Sequence, residues 1–291
     1  MIRNGLLLLA LAVCVGAQAQ IPDETRELRI VSLAPHLTEL AFAAGAGAYV
    51  VATVEHSDYP PAARRIPRIG DAFRVDLERV LAVRPHVVLA WESGTPMHLV
   101  EQLRGLGLNV ETISTQSLAH VPRALRRLGE LAGTRASAER AAAQFEHEIA
   151  QLRALYRERA PISVFLEVNA QPLYTVNGKH ILSEVATLCG GKNVFAALPD
   201  LAPAIGVEAV IAANPQAIVS SDASMTDAAE RWSRWRMLRA VQAGNVFSLS
   251  ADELSRATPR LAQGARSMCR ALDTARANLG LVPHPKRKPE A

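Results

Sequence analysis

The strongest constraint on the fold of this chain is a weak internal repeat. The segment LERVLAVRPHVVLAW (residues 77–91) aligns without gaps with VEAVIAANPQAIVSS (residues 207–221). Each copy predicts a short helix that ends before a proline, because proline disfavours helix at the preceding residue, and then a short buried strand. The chain is therefore expected to contain the same helix-then-strand unit twice.

A second pair of segments extends the repeat. LTELAFAAGAG, which begins at Leu37, matches LSEVATLCGGK, which begins at Leu182, and each predicts an apolar helix that ends at glycine. Apolar segments at residues 28–33 and 162–168 precede these helices and predict strands. Both halves thus alternate strands and helices in the order typical of a parallel sheet. We expect an α/β fold with two Rossmann-like lobes that lack the GxGxxG dinucleotide motif.

A helical segment joins the two halves. Residues 137–159 are rich in alanine and charged residues, begin at a capping serine and end before Pro161. A helix of this length spans roughly 35 Å, enough to run the height of a two-lobed molecule. The predicted units are an N-terminal lobe (20–134), a bridging helix (135–160) and a C-terminal lobe (161–280). Because a helical connector is stiff, free and bound states are expected to differ little.

The first residues have the order of an export signal. Arg3 is followed by an uncharged run over residues 6–16 and by an A-x-A motif at residues 17–19. A membrane-spanning helix needs roughly 20 apolar residues, so the run is too short to favour an N-terminal anchor. We expect residues 1–19 to be a signal peptide cleaved near Ala19 and the mature chain to be periplasmic.

Charge and composition disfavour a nucleic-acid partner. The net charge is +4, but Lys and Arg are interspersed with Asp and Glu except in the tail at residues 281–291. That basic, proline-rich tail is expected to be disordered. Aromatic residues form 4% of the chain, which leaves little surface for stacking on bases. The mature protein is predicted to be a soluble monomer.

The mature chain keeps an even pair of cysteines, Cys189 and Cys269, because Cys14 leaves with the signal peptide. In an oxidising compartment such a pair predicts one disulfide. A metal site and a nucleophilic cysteine are the alternatives, but Cys189 lacks a CxxC partner and Cys269 lies on an apolar helical face. A disulfide that closes so long a loop stabilises a fold by about 4 kcal/mol on the chain-entropy model.

Seven motifs occur in a fixed order: SLAPHLTELAFAAG (32–45), SDYPP (57–61), PRIGD (67–71), LERVLAVRPHVVLAW (77–91), FLEVNAQPLYTVNGKH (165–180), CGGKNVF (189–195) and SADELSRATPRL (250–261). Together they resemble the periplasmic cobalamin-binding proteins of the helical-backbone receptor family, whose relatives bind siderophores, haem and metal ions. The resemblance implies two α/β lobes bridged by one long helix, with the ligand in the cleft between them. It also implies capture of cobalamin or a related cobalt corrinoid as the transported ligand, delivery to the permease dimer of an ABC importer, and no cofactor.

The resemblance places the ligand contacts on loops that follow the strands. The implied contact residues are His36, His56, Tyr59, Phe73, Trp91, Glu167, Asp252, Glu253 and Arg256. Trp91 matches the family, whereas His56 stands at a family tyrosine, Ala72 lies near an expected tryptophan and Glu253 replaces an expected aromatic residue. His56 has a second interpretation as an axial ligand of cobalt, because neutral imidazole binds transition metals well.

The resemblance also implies that two glutamates at equivalent positions of the repeat, Glu78 and Glu208, dock on arginines of the permease. A two-fold permease presents two equivalent basic pockets, and each lobe can offer one carboxylate. The alternative is that each glutamate only interacts favourably with the dipole of its own helix. The family also has its disulfide at the positions of Cys189 and Cys269.

Receptors of the same fold for haem, an iron-siderophore or a zinc or manganese ion are alternative functions. A zinc or manganese site would gather three or four histidine and carboxylate ligands. The candidates for such a site are His36, His56, Glu92, Glu167 and Asp252.

A hydrolase is the alternative of another class. Ser57, His56 and Asp58 are adjacent in sequence, whereas the residues of a catalytic triad converge from separate loops. The sequence also contains no GxSxG, HExxH or phosphate-binding motif. We therefore expect a binding protein rather than an enzyme.

Overall fold

The computed structural model describes residues 28–71, 74–221 and 227–281. The predicted signal peptide, residues 1–19, lies outside the described residues. Of the predicted tail, only Leu281 is described.

The N-terminal lobe contains a parallel four-stranded sheet between helices. Its elements in chain order are β1 (Ile30–Ser32), α1 (Pro35–Ala43), β2 (Val50–Thr53), α2 (Leu77–Ala82), β3 (Val87–Trp91), α3 (Met97–Gly105), β4 (Val110–Ile113) and α4 (His120–Ala132). The strands lie in the order β2-β1-β3-β4, and every pair is parallel. Successive side chains of β3 point to opposite faces, so Leu89 packs in the cluster that contains α1 and α4, while Val88 packs with α2 and α3. Burial on both faces is the usual condition of a parallel strand.

A single helix, α5 (Arg135–Tyr156), connects the lobes. Its 22 residues span about 33 Å at the usual rise per residue. Phe145, Ile149 and Leu152, at helical spacing, form its buried stripe. At Gly129, α4 approaches α5 so closely that an added Cβ would overlap the Ala138 side chain. This packing fixes the start of α5 against the first lobe.

The C-terminal lobe repeats the arrangement with extra short elements. In chain order it contains β5 (Ile162–Glu167), β6 (Asn169–Ala170), β7 (Leu173–Tyr174), α6 (Ile181–Leu188), β8 (Gly191–Asn193), α7 (Val207–Ala213), β9 (Ala217–Ser220), α8 (Ala228–Trp232), α9 (Arg239–Gln242), β10 (Val246–Ser248), α10 (Ala251–Leu254) and α11 (Leu261–Asn278). Its main sheet has the order β8-β5-β9-β10 with parallel pairing throughout. The strands β6 and β7 form a separate antiparallel hairpin.

The two sheets have the same strand order when their elements are matched along the chain. β2-β1-β3-β4 in the first lobe corresponds to β8-β5-β9-β10 in the second. The helix-then-strand repeat appears as α2 with β3 and as α7 with β9, and the second repeat appears as α1 and α6. The predicted α/β fold with two similar lobes and a bridging helix is therefore confirmed.

The predicted disulfide is present in the C-terminal lobe. Cys189, just after α6, is bonded to Cys269 on α11, with a Cα–Cα distance of 4.8 Å. Both residues are fully buried. Beside them Arg276, which is 1% exposed, donates from Nη2 to the carbonyl oxygen of Cys189 and from Nε to that of Ala160. The buried guanidinium thus satisfies two main-chain acceptors and ties α11 to the end of the bridging segment.

No helix within the described ranges combines the length and the apolar character that a membrane-spanning segment requires.

Candidate ligand-binding cleft

The two lobes face each other across a partly open cleft that contains a cavity of about 150 Å³. Loops after β1, β3 and β4 supply the wall from the first lobe, and the start of α6 and the segment after α10 supply much of the other wall. The lining residues are His36, Trp91, Ser93, Thr115 and Gln116 from the first lobe, and His180, Ile181, Leu201, Ser255 and Ala257 from the second. In parallel α/β sheets, ligands bind at the carboxyl ends of the strands, and this cavity has that position.

Trp91, the last residue of β3, is held in a fixed orientation. Its ring meets the His36 ring edge to face at a centroid distance of 4.9 Å. Its main-chain N–H donates to Thr95 Oγ1 at 2.9 Å. Gly94 packs directly against the indole, since an added Cβ would overlap the six-membered ring. The Nε1 atom of the indole is buried and has no acceptor among the described residues.

His36 is neutral in the folded protein. The residue is 8% exposed, and burial, aided by the positive charge of Arg256, lowers its pKa to about 4. Its Nε2 atom lies 3.4 Å from Thr115 Oγ1. An uncharged ring of this kind can accept or donate one hydrogen bond without adding charge to the cleft.

His180 forms the opposite side of the cavity and was not predicted as a site residue. It is the N-cap residue of α6, and its Nδ1 accepts a hydrogen bond from the Leu182 main-chain N–H at 3.1 Å. Burial lowers the pKa of this histidine to about 4. In the repeat that matches Leu37 with Leu182, His180 stands opposite Pro35, so the sequence indicates the start of a helix there but gives no signal for the cleft.

A charged cluster lies at the rim of the cleft and joins the lobes. Arg256 pairs with Asp58 Oδ1 at 2.7 Å and with Asp252 Oδ1 at 3.1 Å, and it donates to the His56 carbonyl oxygen at 3.3 Å. Desolvation alone would raise the pKa of Asp58, but the hydrogen bond and positive charge of Arg256, together with a main-chain hydrogen bond and the charge of Arg64, outweigh it and hold the pKa below the usual value. Arg256 and Asp252, both predicted ligand contacts, are therefore engaged with the first lobe or with each other.

Three other predicted contacts lie around the cleft but are not among the residues that line this cavity. His56 is exposed and adopts a positive φ of 64°. Tyr59 is 42% exposed, and the Arg260 guanidinium stacks over its ring at 3.9 Å. Glu253 lies in the short helix α10, where its main-chain N–H donates to the capping Ser250 hydroxyl. Phe73 and the neighbouring Ala72 lie outside the described residues.

Glu167 lies away from the cavity, contrary to the sequence-based expectation. The residue is 1% exposed, and its Oε2 accepts a hydrogen bond from Trp232 Nε1 at 2.7 Å. Its Oε1 accepts from Ser220 Oγ at 2.7 Å and from Arg231. The charge of the carboxylate is thus balanced by Arg231 inside the C-terminal lobe, and its hydrogen bonds hold β5, β9 and α8 together.

The proposed alternatives of a metal site and a hydrolase find no matching cluster in the described parts of the chain. Over residues 28–71, 74–221 and 227–281, no group of three or more His, Cys, Asp and Glu side chains is placed to hold a metal ion. Ser57 is fully buried, and its hydroxyl accepts a hydrogen bond from Thr53 Oγ1 at 2.8 Å. A serine hidden in a hydroxyl cluster is out of reach of a substrate.

Glu78 and Glu208 occupy equivalent exposed positions of the two lobes. Each lies in the first turn of its helix, α2 or α7. Within the described ranges neither carboxylate forms an ion pair with the protein. In α2, the Arg79 main-chain N–H donates its capping hydrogen bond to Asp76 Oδ1, so Glu78 is not needed as the cap.

Comparison with known proteins agrees with the fold. The model of the periplasmic binding protein family matches residues 30–253. A vitamin B12-binding protein of Vibrio cholerae serotype O1 is 34% identical over 242 residues, covering 83% of this chain and 87% of that protein. A vitamin B12-binding protein of Pectobacterium atrosepticum is 34% identical over 281 residues, covering 95% of this chain and 96% of that protein.

Two solved structures show the same architecture. The periplasmic vitamin B12-binding protein of Vibrio cholerae superposes with a TM-score of 0.80 at 34% identity, covering 85% of this chain and 97% of that chain. A periplasmic haem-binding protein of Roseiflexus sp. superposes with a TM-score of 0.76 at 26% identity, covering 86% of this chain and 99% of that one. Because the family model covers most of the sequence and the relatives match over nearly their whole length, this chain belongs to the periplasmic binding protein family.

Proposed function

We propose that this protein is a periplasmic substrate-binding protein that captures cobalamin or a related corrinoid between its lobes and delivers it to the permease of an ABC importer. The observation that carries this proposal is the likeness to vitamin B12-binding proteins at 34% identity over most of both chains. Relatives of that similarity share the complete two-lobed frame, so the cleft is the natural place for the ligand.

The chemistry of the cleft supports a corrinoid over the alternatives. The described lining residues include an indole, hydroxyls, an amide and two neutral imidazoles, and none of them carries a charge at neutral pH. A corrin ring edged with amides needs an apolar face and uncharged hydrogen-bonding groups. The carboxylates of haem would favour cationic partners, and a bare metal ion would need a cluster of ligands.

The volume of the cavity limits how much of such a ligand it can hold. Typical small-molecule pockets measure about 300 to 1,000 Å³, whereas this cavity measures about 150 Å³. A corrinoid would therefore extend beyond the cavity towards the rim residues His56 and Tyr59.

Delivery to a permease explains the two glutamates better than helix stability does. An interaction with a helix dipole is worth only about 0.3 to 1 kcal/mol, and many residues supply it. A carboxylate at the same exposed place in each lobe matches two equivalent basic pockets on a two-fold partner. Residues 1–19 would direct the chain to the periplasm before it meets this partner.

Isothermal titration of the mature chain, residues 20–291, tests the proposal. Cyanocobalamin, haem and zinc are titrated separately, and absorbance spectra follow the two coloured ligands. We expect saturable one-to-one binding of cyanocobalamin, with haem and zinc weaker. As a matched pair of variants, Trp91→Ala is expected to weaken cyanocobalamin binding, and Leu155→Ala, at an exposed residue of the bridging helix, is not.

Tighter binding of haem would transfer the assignment to the haem-binding relatives, for which the likeness at a TM-score of 0.76 is the supporting observation. Absence of binding of any corrinoid would refute the proposed ligand.

A further inference from the structure

His180 is the cleft residue with the most precisely fixed hydrogen-bonding role. It caps α6 from the second lobe, on the wall opposite to Trp91 and His36. The resemblance to known receptors did not assign it a role, and neither did its position in the sequence. Its contacts, however, determine which ring nitrogen carries the hydrogen.

The main-chain N–H of Leu182 donates to His180 Nδ1 at 3.1 Å. A main-chain N–H can only donate, so Nδ1 must be unprotonated. Burial keeps the ring neutral, with a pKa of about 4. A neutral imidazole whose Nδ1 is unprotonated carries its single hydrogen on Nε2. None of the hydrogen bonds of the described residues uses that N–H, and because Nε2 is not among the buried unpaired atoms, it is accessible from the cleft or from solvent.

The cap also holds the ring in place before any ligand arrives. Because Nδ1 is tied to the helix N-terminus, the plane of the ring and the direction of Nε2 are set by the fold of α6. A preorganised donor costs little conformational entropy when a ligand binds. Ile181 and Leu201 provide apolar surface beside it, which strengthens a hydrogen bond by excluding water.

We propose that His180 selects the ligand by donating from Nε2 to an acceptor oxygen, namely a side-chain amide carbonyl of the bound corrinoid. The ligand's identity in this statement rests on the proposed function. A metal ion is excluded as the direct partner of this nitrogen, because a protonated Nε2 offers no lone pair. On the facing wall, the Trp91 Nε1–H is buried and has no acceptor among the described residues.

The test separates the donor from the helix cap. His180→Ser keeps a side-chain oxygen that can accept from the helix N-terminus but removes the imidazole donor. We expect the Kd for cyanocobalamin to rise about tenfold, as for the loss of one hydrogen bond, with a melting temperature near that of the wild type. Lys179→Ser, at the exposed neighbouring residue, is the matched control and should keep the wild-type Kd.

A second readout reports the tautomer directly. In protein labelled with nitrogen-15 at histidine, the His180 resonances of the free wild type should show hydrogen on Nε2, and that hydrogen should shift when cyanocobalamin is added. A hydrogen found on Nδ1, or a His180→Ser variant that binds as tightly as the wild type, would overturn the inference while the proposed function stands. If the wild type itself binds neither cyanocobalamin nor another corrinoid, the proposed function fails and the inference fails with it.

Discussion

Glu39 and Arg260 form a two-point ion pair that joins the lobes. Arg260 Nε lies 2.7 Å from Glu39 Oε1, and Arg260 Nη2 lies 2.7 Å from Oε2. Glu39 belongs to α1 in the first lobe, and Arg260 immediately precedes α11 in the second. Thr258 also donates to Oε1 at 2.6 Å. The carboxylate, 2% exposed, therefore depends on the second lobe for its hydrogen bonds.

Removing this carboxylate should loosen the connection between the lobes. Glu39→Ala leaves a largely buried guanidinium and the Thr258 hydroxyl without their acceptor, so we expect a loss of about 3 to 5 kcal/mol in the free energy of unfolding. Urea denaturation measures the change. As a control, Glu158→Ala breaks an exposed pair with Arg157 and should produce no measurable change. Equal losses in the two variants would show that the interlobe pair has no special role.

The disulfide should contribute strongly to the stability of the C-terminal lobe. Cys189 and Cys269 are 80 residues apart in sequence, and closing a loop of that size stabilises a fold by about 4 kcal/mol. The double variant Cys189→Ala/Cys269→Ala should lose about that much in urea denaturation. Adding a reductant should lower the stability of the wild type and leave the double variant unchanged. A reductant effect of the same size on both proteins would rule out this role.

Acid should destabilise the protein through the two histidines of the cleft. His36 and His180 have pKa values of about 4 in the folded state, below the usual 6.5. As the pH falls, these histidines therefore take up protons in the unfolded chain before they do so in the folded protein. The free energy of unfolding thus has its full value above about pH 6.5 and decreases as the pH approaches 4. Each shift corresponds to about 3 kcal/mol at most.

Unfolding free energies measured from pH 7.5 to 4.5 check this prediction. His36→Gln should have a flatter dependence on pH than the wild type, because one buried imidazole no longer titrates. His98→Gln removes an exposed imidazole from α3 and serves as the baseline for losing a histidine. An unchanged slope in His36→Gln would contradict the assignment of acid sensitivity to this ring.

The sequence was sufficient to predict the fold because the relevant signals are local and repeated. The helix-proline-strand pattern before Val87 and again before Ala217 produced matching strands, β3 and β9. The order of the main sheets follows from the same duplication, since each lobe builds its four-stranded parallel sheet in the same way. The bridging helix ends at Tyr156 rather than near residue 159, a difference of the size expected where the last turn of a helix frays.

The site could be predicted only in part, because side-chain partners come from distant parts of the chain. Glu167 follows a strand, as a cleft residue should, but Trp232 and Arg231 approach its carboxylate from 64 or more residues away and neutralise it inside the lobe. His180 shows the opposite case. Its sequence position indicates the start of a helix, and only the packed structure shows that the capping ring also faces the cleft.

Reversing the charge at Glu78 and Glu208 tests delivery to the permease rather than capture of the ligand. Both residues are exposed in the first turns of α2 and α7, and neither is among the described cleft-lining residues. The variant Glu78→Arg/Glu208→Arg should therefore bind cyanocobalamin with the wild-type Kd. Repulsion from basic permease pockets should abolish uptake, because arginine then faces arginine at both docking points.

Uptake of labelled cobalamin is measured in cells that lack their own receptor and carry the partner permease and ATPase. Each single reversal should reduce uptake less than the double variant, since one lobe can still dock. Glu101→Arg/Glu158→Arg changes the net charge equally at exposed residues outside the repeat and should transport normally. Normal uptake by the double docking variant would sink the docking role, and an equal loss in the control would show that total charge matters instead. Either result would leave the two glutamates with only one role, the stabilisation of their helix N-termini. That interaction contributes less than about 1 kcal/mol for each glutamate.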